Sequence, residues 1–353
     1  MNEWLYTAEG GFEAARRNGR GLHGHSFAVR VRADNHPPAG DHETLSATLT
    51  QCLAPLDYAL VNDVVETGAD PDLACWIHGR LAEAAVPVRR VALRSAPDRG
   101  VVLEAGAWRA WRRFRFEAAH RLPHVPAGHP CGRMHGHGFE VILEAEAAAG
   151  EAAGEAAWAR AEAAARAWRP LQEQLHHHCL NDFLENPTSE MLAAWIWARL
   201  EPEAPGLARV RVHETEHSGC VFDGRRYAIW KAQRFEAATR LRDVAAGSAG
   251  GDRRDRLHGH GYRLRLHLVK DLDAVLGWTV DYGDVKRAFE PVLRRLDHYP
   301  LYEIDGLEDG AVATLGRWIV ARTLPQLPWL SRVDLYERPG CGVICAPEER
   351  GGP

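Results

Sequence analysis

The chain has 353 residues, 46% hydrophobic and 26% charged, enough for more than one buried core and unlike the composition of a disordered chain. A formal net charge of −5 offers no broad basic footprint and argues against nucleic acid as the main partner. Seven cysteines without a Cys-x-x-Cys pair, no signal-like pattern at Met1-Asn2-Glu3-Trp4 and no apolar run near the ~20 residues of a membrane span predict a cytoplasmic protein.

One module is written three times. The first copy opens on Phe12-Glu13-Ala14-Ala15 and runs through His23-Gly24-His25 into an alternating stretch carrying Arg30 and Arg32. It then predicts a helix over 71–84 and a strand pair over 91–103. The second copy repeats the opening at 116–119, the His-Gly-His at 135–137 and the alternation in Phe139-Glu140-Val141-Ile142-Leu143-Glu144. An Ala, Glu and Arg-rich segment predicts a helix over 151–174. After Asn186-Pro187, Thr188 or Ser189 can cap a helix over 191–200, and a strand pair spans 210–222. The third copy opens at 235–238, carries a glycine-rich loop at 245–251, and continues through His258-Gly259-His260 and the alternating 262–266. A helix over 311–324, a strand pair over 333–345 and a frayed end from Glu348 complete it. The fold class is α+β, three ββααββ units at 1–107, 108–225 and 226–347. Such units can join edge to edge into a ring, with Arg30, Arg32, Glu140, Glu144, Arg263 and Arg265 facing the lumen. The alternative is an open sheet with those charges on its solvent face.

The second copy carries the chemistry. His135 and His137 are two apart on a strand and share a face, and His120 ends the strand before them. Three converging imidazoles are the ligand set of a catalytic zinc, with the fourth position left for substrate or water. Cys131, four residues before His135, is the candidate reactive thiol. The other copies act as internal controls: Arg16 and Gly19, or Thr239 and Arg254, stand where copy two has His120 and Cys131. Their His-Gly-His pairs are therefore expected to be remnants. In copy three Asp297 and His298 form a pair suited to proton transfer, where copy one has Asp57-Tyr58 and copy two His176-His177. The run 176–178 is either a secondary metal site or, more simply, exposed histidines. Glu214 shares the parity of Val210 and Val212, which puts a carboxylate on an apolar face; Glu337 does the same in copy three, and copy one has Ser95. Such a carboxylate matches the N–C–N edge of a heterocycle or pairs with an internal arginine.

The stretches Phe114–Leu122, Cys131-Gly132-Arg133-Met134-His135-Gly136-His137, Asn186-Pro187-Thr188-Ser189-Glu190 and Val212-His213-Glu214-Thr215 resemble the 6-pyruvoyltetrahydropterin synthase superfamily. The likeness is nearest to the 6-carboxytetrahydropterin synthases of the queuosine pathway. In copy three, Val280-Asp281-Tyr282-Gly283-Asp284-Val285-Lys286 and Leu296-Asp297-His298 match as well. The resemblance implies the tunnelling fold, a twelve-stranded antiparallel barrel with helices outside, here a pseudo-trimer within one chain that can pair into a homodimer. It implies a zinc lyase acting on 7,8-dihydroneopterin triphosphate, with His120, His135 and His137 on Zn2+. Cys131, Asp297, His298 and His177 would be the catalytic candidates, and Glu214, Thr215 and Glu337 the substrate-binding ones. The rival readings are another pterin side-chain enzyme, pyruvoyl-forming or aldolase-like, and a non-catalytic pterin-binding scaffold.

Overall fold

A computed structural model describes residues 4–19, 21–34, 41–147, 153–241 and 253–347. The glycine-rich loop at 245–251 and the segment from Glu348 lie outside them. Each copy supplies four long strands. Copy one gives β1 (Trp4–Asn18), β2 (Gly21–Asp34), β3 (Val88–Ala96) and β4 (Arg99–Glu104). Copy two gives β5 (Ala107–His120), β6 (His135–Glu146), β7 (Leu207–Thr215) and β8 (Ser218–Phe222). Copy three gives β9 (Tyr227–Thr239), β10 (His258–Val269), β11 (Leu330–Arg338) and β12 (Cys341–Cys345). Every strand pairs antiparallel with the next, and β12 returns to β1 with Trp4 opposite Cys345. The sheet is a closed barrel, so no long strand keeps an open edge.

Between the second and third strands of each copy two helices lie on the outer face: α1 (His42–Leu53) and α2 (Asp70–Glu83), α3 (Ala153–Leu175) and α4 (Ser189–Leu200), α5 (Tyr282–Leu296) and α6 (Val312–Thr323). No helix among the described residues is long and apolar enough to cross a membrane. The phenylalanine of each Phe-Glu-Ala-Ala stacks on the ring across the hairpin, Phe12 on Phe27, Phe116 on Phe139 and Phe235 on Tyr262, at centroid distances of 4.6, 5.2 and 4.8 Å. These rings face the helices, so the opposite parity faces inward, and Arg30, Arg32, Glu140 and Arg265 line a lumen of about 1120 Å3. The ring, not the open sheet, is the arrangement the charges serve.

The first helix of each copy ends on a non-glycine residue in the left-handed region, Tyr58, His177 or His298. In each case its N–H donates to the same carbonyl of the opening strand, that of Glu13, Glu117 or Glu236, at 2.6–2.7 Å. The cost of that conformation, about 1–2 kcal/mol per residue, is borne at all three places. The backbone device is thus common to the copies, whatever the side chain.

Candidate active site

His120 closes β5 and faces His135 across the hairpin, while His137 opposes Ala118. The three imidazoles meet on the helix-facing side, with ring centroids 4.5, 5.2 and 5.0 Å apart. His120 Nδ1 lies 2.9 Å from the Pro187 carbonyl and His135 Nδ1 lies 2.8 Å from that of Arg133. A carbonyl only accepts, so each Nδ1 carries the proton and each Nε2 turns a lone pair inward. The Nε2 atoms of His120 and His137 are buried without a hydrogen-bond partner among the described residues. Burial, opposed by the Pro187 carbonyl and Glu214, keeps His120 below the ordinary imidazole value and favours the neutral, ligating form.

Glu214 joins them, its Oε1 3.5 Å from His120 Nε2 and 3.4 Å from His137 Nε2. Alternation from Val210 and Val212 points it to this same helix-facing side. The β7–β8 pairing slips between His213 and Thr215, leaving Glu214 as the extra residue of a bulge. Burial alone would raise its carboxyl; His137, then His120 and His135, pull it below the usual value. Ligand-type atoms of His120, His135, His137 and Glu214 all lie within 4.8 Å of one another. Ring nitrogens buried without a hydrogen-bond partner and turned towards one point fit a divalent cation.

Beside this cluster a cavity of about 310 Å3 opens between copies two and three. Leu122, Cys131, Glu190 and Glu214 form one wall, Trp278 and Tyr282 the other. The second copy's Asn186–Glu190 segment stitches the two sides together. Asn186 Nδ2 donates to the Leu276 carbonyl at 2.6 Å, and the Thr188 hydroxyl donates to that of Gly277 while capping α4. Glu190 Oε1 accepts from the Thr279 N–H and hydroxyl at 2.9 and 3.1 Å. Burial raises the Glu190 carboxyl. Tyr282 reaches the Ser189 hydroxyl at 2.9 Å, and Asp281 caps α5 through the N–H groups of Gly283 and Asp284.

Cys131 sits on the short turn Pro130–Gly132; burial first, then the Glu214 and Asp281 carboxylates, push its thiol up. The turn is held by His129, which sequence reasoning missed. Its Nδ1 accepts the Cys131 N–H at 3.2 Å, leaving Nε2–H to donate to Asp281 of copy three at 3.1 Å. The one hint was position, two residues before the thiol; the partner is 152 residues away.

The remaining candidates stand elsewhere. Asp297 accepts the Glu236 N–H at 2.9 Å, and His298, 79% exposed, lies 3.1 Å from Asp297; neither lines the pocket. They lie at the same end of the barrel as the imidazole cluster but against copy three's own opening strand. His177 is likewise exposed and pairs with Glu117 at 3.1 Å. The Thr215 hydroxyl is engaged in its turn, 2.8 Å from that of Ser218.

Glu337 is buried at the junction of copies three and one, where His42 Nε2 lies 2.7 Å from its Oε2. Its partner within the chain is the imidazole of His42 from α1 and not an arginine. With Glu43 these two form the second group of ligand-type atoms within 4.8 Å among the described residues. Arg254, at the position of Cys131, pairs with Asp41. In copy one the guanidinium of Arg16 takes the place of the third imidazole and bonds Asp70 at 2.6 Å, and Ser95 donates to the same carboxylate. Of the three junctions, the one between copies two and three brings the imidazole cluster and a thiol to an open cavity.

Comparison with known proteins agrees with this asymmetry. The family model described as 6-pyruvoyl tetrahydropterin synthase matches residues 109–225 and again 228–348. A 6-carboxy-5,6,7,8-tetrahydropterin synthase of Synechocystis is 40% identical over 114 residues, 31% of this chain and 87% of that protein. A putative one of Archaeoglobus fulgidus is 32% identical over 102 residues, 29% of this chain and 83% of its own length. Among solved structures, the 6-pyruvoyl tetrahydropterin synthase of Caenorhabditis elegans aligns with 33% of this chain and 92% of its own at 19% identity, with a TM-score of 0.31. Two consecutive family matches, over copies whose strands close one barrel, make this chain a member of the 6-pyruvoyl tetrahydropterin synthase family.

Proposed function

We propose that the chain is a zinc-dependent, 6-carboxytetrahydropterin synthase-like lyase acting on 7,8-dihydroneopterin triphosphate. The observation that carries this reading is the three-imidazole cluster, joined through Glu214 to a cavity that Cys131 also lines. The names of the two relatives support the product, and the cavity, near the small end of ligand sites, suits a bicyclic ring. His120, His135 and His137 would hold the zinc, which would supply Lewis acidity towards a substrate oxygen. Glu214 offers its carboxylate to the N–C–N edge of the ring, and Trp278 and Leu122 cover its faces. Cys131 moves a proton at the side chain, held in place by His129 and Asp281.

Asp297 and His298 act, in this reading, from a second copy. Leu22, Met134 and Leu257, each directly before its His-Gly-His, are 63%, 54% and 63% exposed, and Tyr58 and Tyr299 stand exposed at the same barrel end. Monomers seldom leave such a set of apolar side chains uncovered together. End-to-end pairing covers it and brings one copy's Asp297–His298 towards the other's pocket.

The test is incubation with zinc and 7,8-dihydroneopterin triphosphate, reading products by mass spectrometry and metal by elemental analysis. One zinc per chain and the mass of 6-carboxytetrahydropterin are expected. A pyruvoyl product would replace the product assignment, and a metal-free, pterin-binding, inactive chain would favour the scaffold.

A further inference from the structure

The lumen carries charge for which the pterin chemistry has no task. Strand pairing sets Arg32 of β2 directly opposite Arg90 of β3, two like charges on one face. Such cross-strand pairs repel, and most sheets avoid them. Arg332 and Arg211, from other strands of the barrel, line the same lumen and add their positive charge to that of Arg32 and Arg90.

The carboxylates within reach are already engaged. Glu144 pairs with Arg211, with Arg209 at 3.5 Å and with Arg109 at 3.9 Å. Asp334 takes Arg332 at 2.6 Å and His267 at 3.2 Å. Glu104 is bonded to Arg109 and stands 4.0 Å from Arg90. Among the described residues Arg32 has neither a hydrogen bond nor a carboxylate at ion-pair distance, and its Nε is buried without a partner. Burial, and then the charge of Arg32, drives the Arg90 guanidinium down to about 9. Guanidinium groups crowded into one lumen attract a counter-charge, and here the protein supplies too few.

We propose that the barrel lumen binds a multivalent oxoanion, a linear oligophosphate, centred on Arg32 and Arg90 with Arg332 and Arg211 lining the same space. Planar guanidinium forks match phosphate oxygens two at a time, and several of them around one lumen match a chain of phosphates better than one isolated anion. A lumen of about 1120 Å3 has room for it. The site is separate from the metal cluster, because on β6 Glu140 and Glu144 point inward while His135 and His137 point towards the helices. It does not rest on the proposed activity.

The test titrates inorganic triphosphate into the full chain by calorimetry, with melting temperature followed in parallel. Saturable binding and a raised melting temperature are expected. Arg32→Gln should weaken binding about tenfold or more while zinc content and turnover stay unchanged. Without triphosphate, Arg32→Gln should melt no lower than the parent, because it relieves repulsion from Arg90. His120→Ala, which lacks the metal cluster, should still bind. No binding at millimolar triphosphate overturns the proposal, as does binding undiminished by Arg32→Gln or lost in His120→Ala. If Arg32→Gln fails to fold, Arg32 is not an uncompensated charge and the proposal falls with its premise.

Discussion

Copy three meets a neighbour at each side, and the two meetings share one frame. On both, a helix begins with an aspartate N-cap followed by a ring, Asp281-Tyr282 against copy two and Asp41-His42 against copy three. Against copy two, Tyr282 turns to Ser189 and a cavity of about 310 Å3 remains before Glu214. On the other side His42 reaches Glu337 and Arg254 holds Asp41, so the counterpart of Glu214 is neutralised from within. A site in this fold is lost by changing what fills the junction, without touching the stacked rings or the left-handed residues that build it.

The sharpest way to break this comparison is to convert the open junction into the closed kind. His120→Arg, which copies Arg16, is expected to take zinc from one per chain to none and to abolish turnover; retained zinc by elemental analysis would refute the ligand set. Cys131→Ala should leave zinc unchanged and lower turnover by about 10²–10⁴-fold, the range for loss of a positioned proton-transfer group. A normal rate in that variant removes the thiol from the chemistry.

The closed junction makes the next test. His42→Ala strands a buried carboxylate, which costs about 3 kcal/mol and lowers the melting temperature by several degrees. Burial by itself would raise the Glu337 carboxyl, and His42, then His260 and His258, more than reverse this, so its folded value lies below the unfolded one. That contribution is present above about pH 4.3 and fades as pH falls through the folded value. The gap between parent and variant should therefore be widest near neutrality and shrink on acidification; a gap independent of pH would mean that packing alone was lost. The smallest expected effect is His129→Ala. Freeing the Cys131 turn from Asp281 should lower kcat roughly tenfold with zinc retained, since it removes about one charge-assisted hydrogen bond. His129→Gln, which can still accept the Cys131 N–H, should recover part of it.

What could be read from the residues alone was what repeats or fails to repeat. Phe116 and His135 announce a strand pair because their counterparts recur at fixed offsets, and Arg16 and Thr239 reveal the lost ligands by contrast. What depends on distant chain meeting distant chain was not legible. His129 finds Asp281 and His42 finds Glu337 only after closure. The side on which Glu214 lies was legible from the parity of Val210 and Val212, but the bulge between His213 and Thr215 was not. Asp297 and His298 were expected beside Cys131, yet local bonds to Glu236 hold them on their own copy's strand, a geometry that residue spacing does not encode.

The pairing of Trp4 with Cys345 has a kinetic side. The first strand waits for the last before either edge is satisfied, so the contact that completes the sheet has nearly the greatest sequence separation the chain allows. Loop-closure entropy makes such a step slow, and until it occurs both rims can recruit strands from other molecules. During synthesis the β1 edge, Leu5 to Thr7, is therefore the stretch that most needs shielding from aggregation.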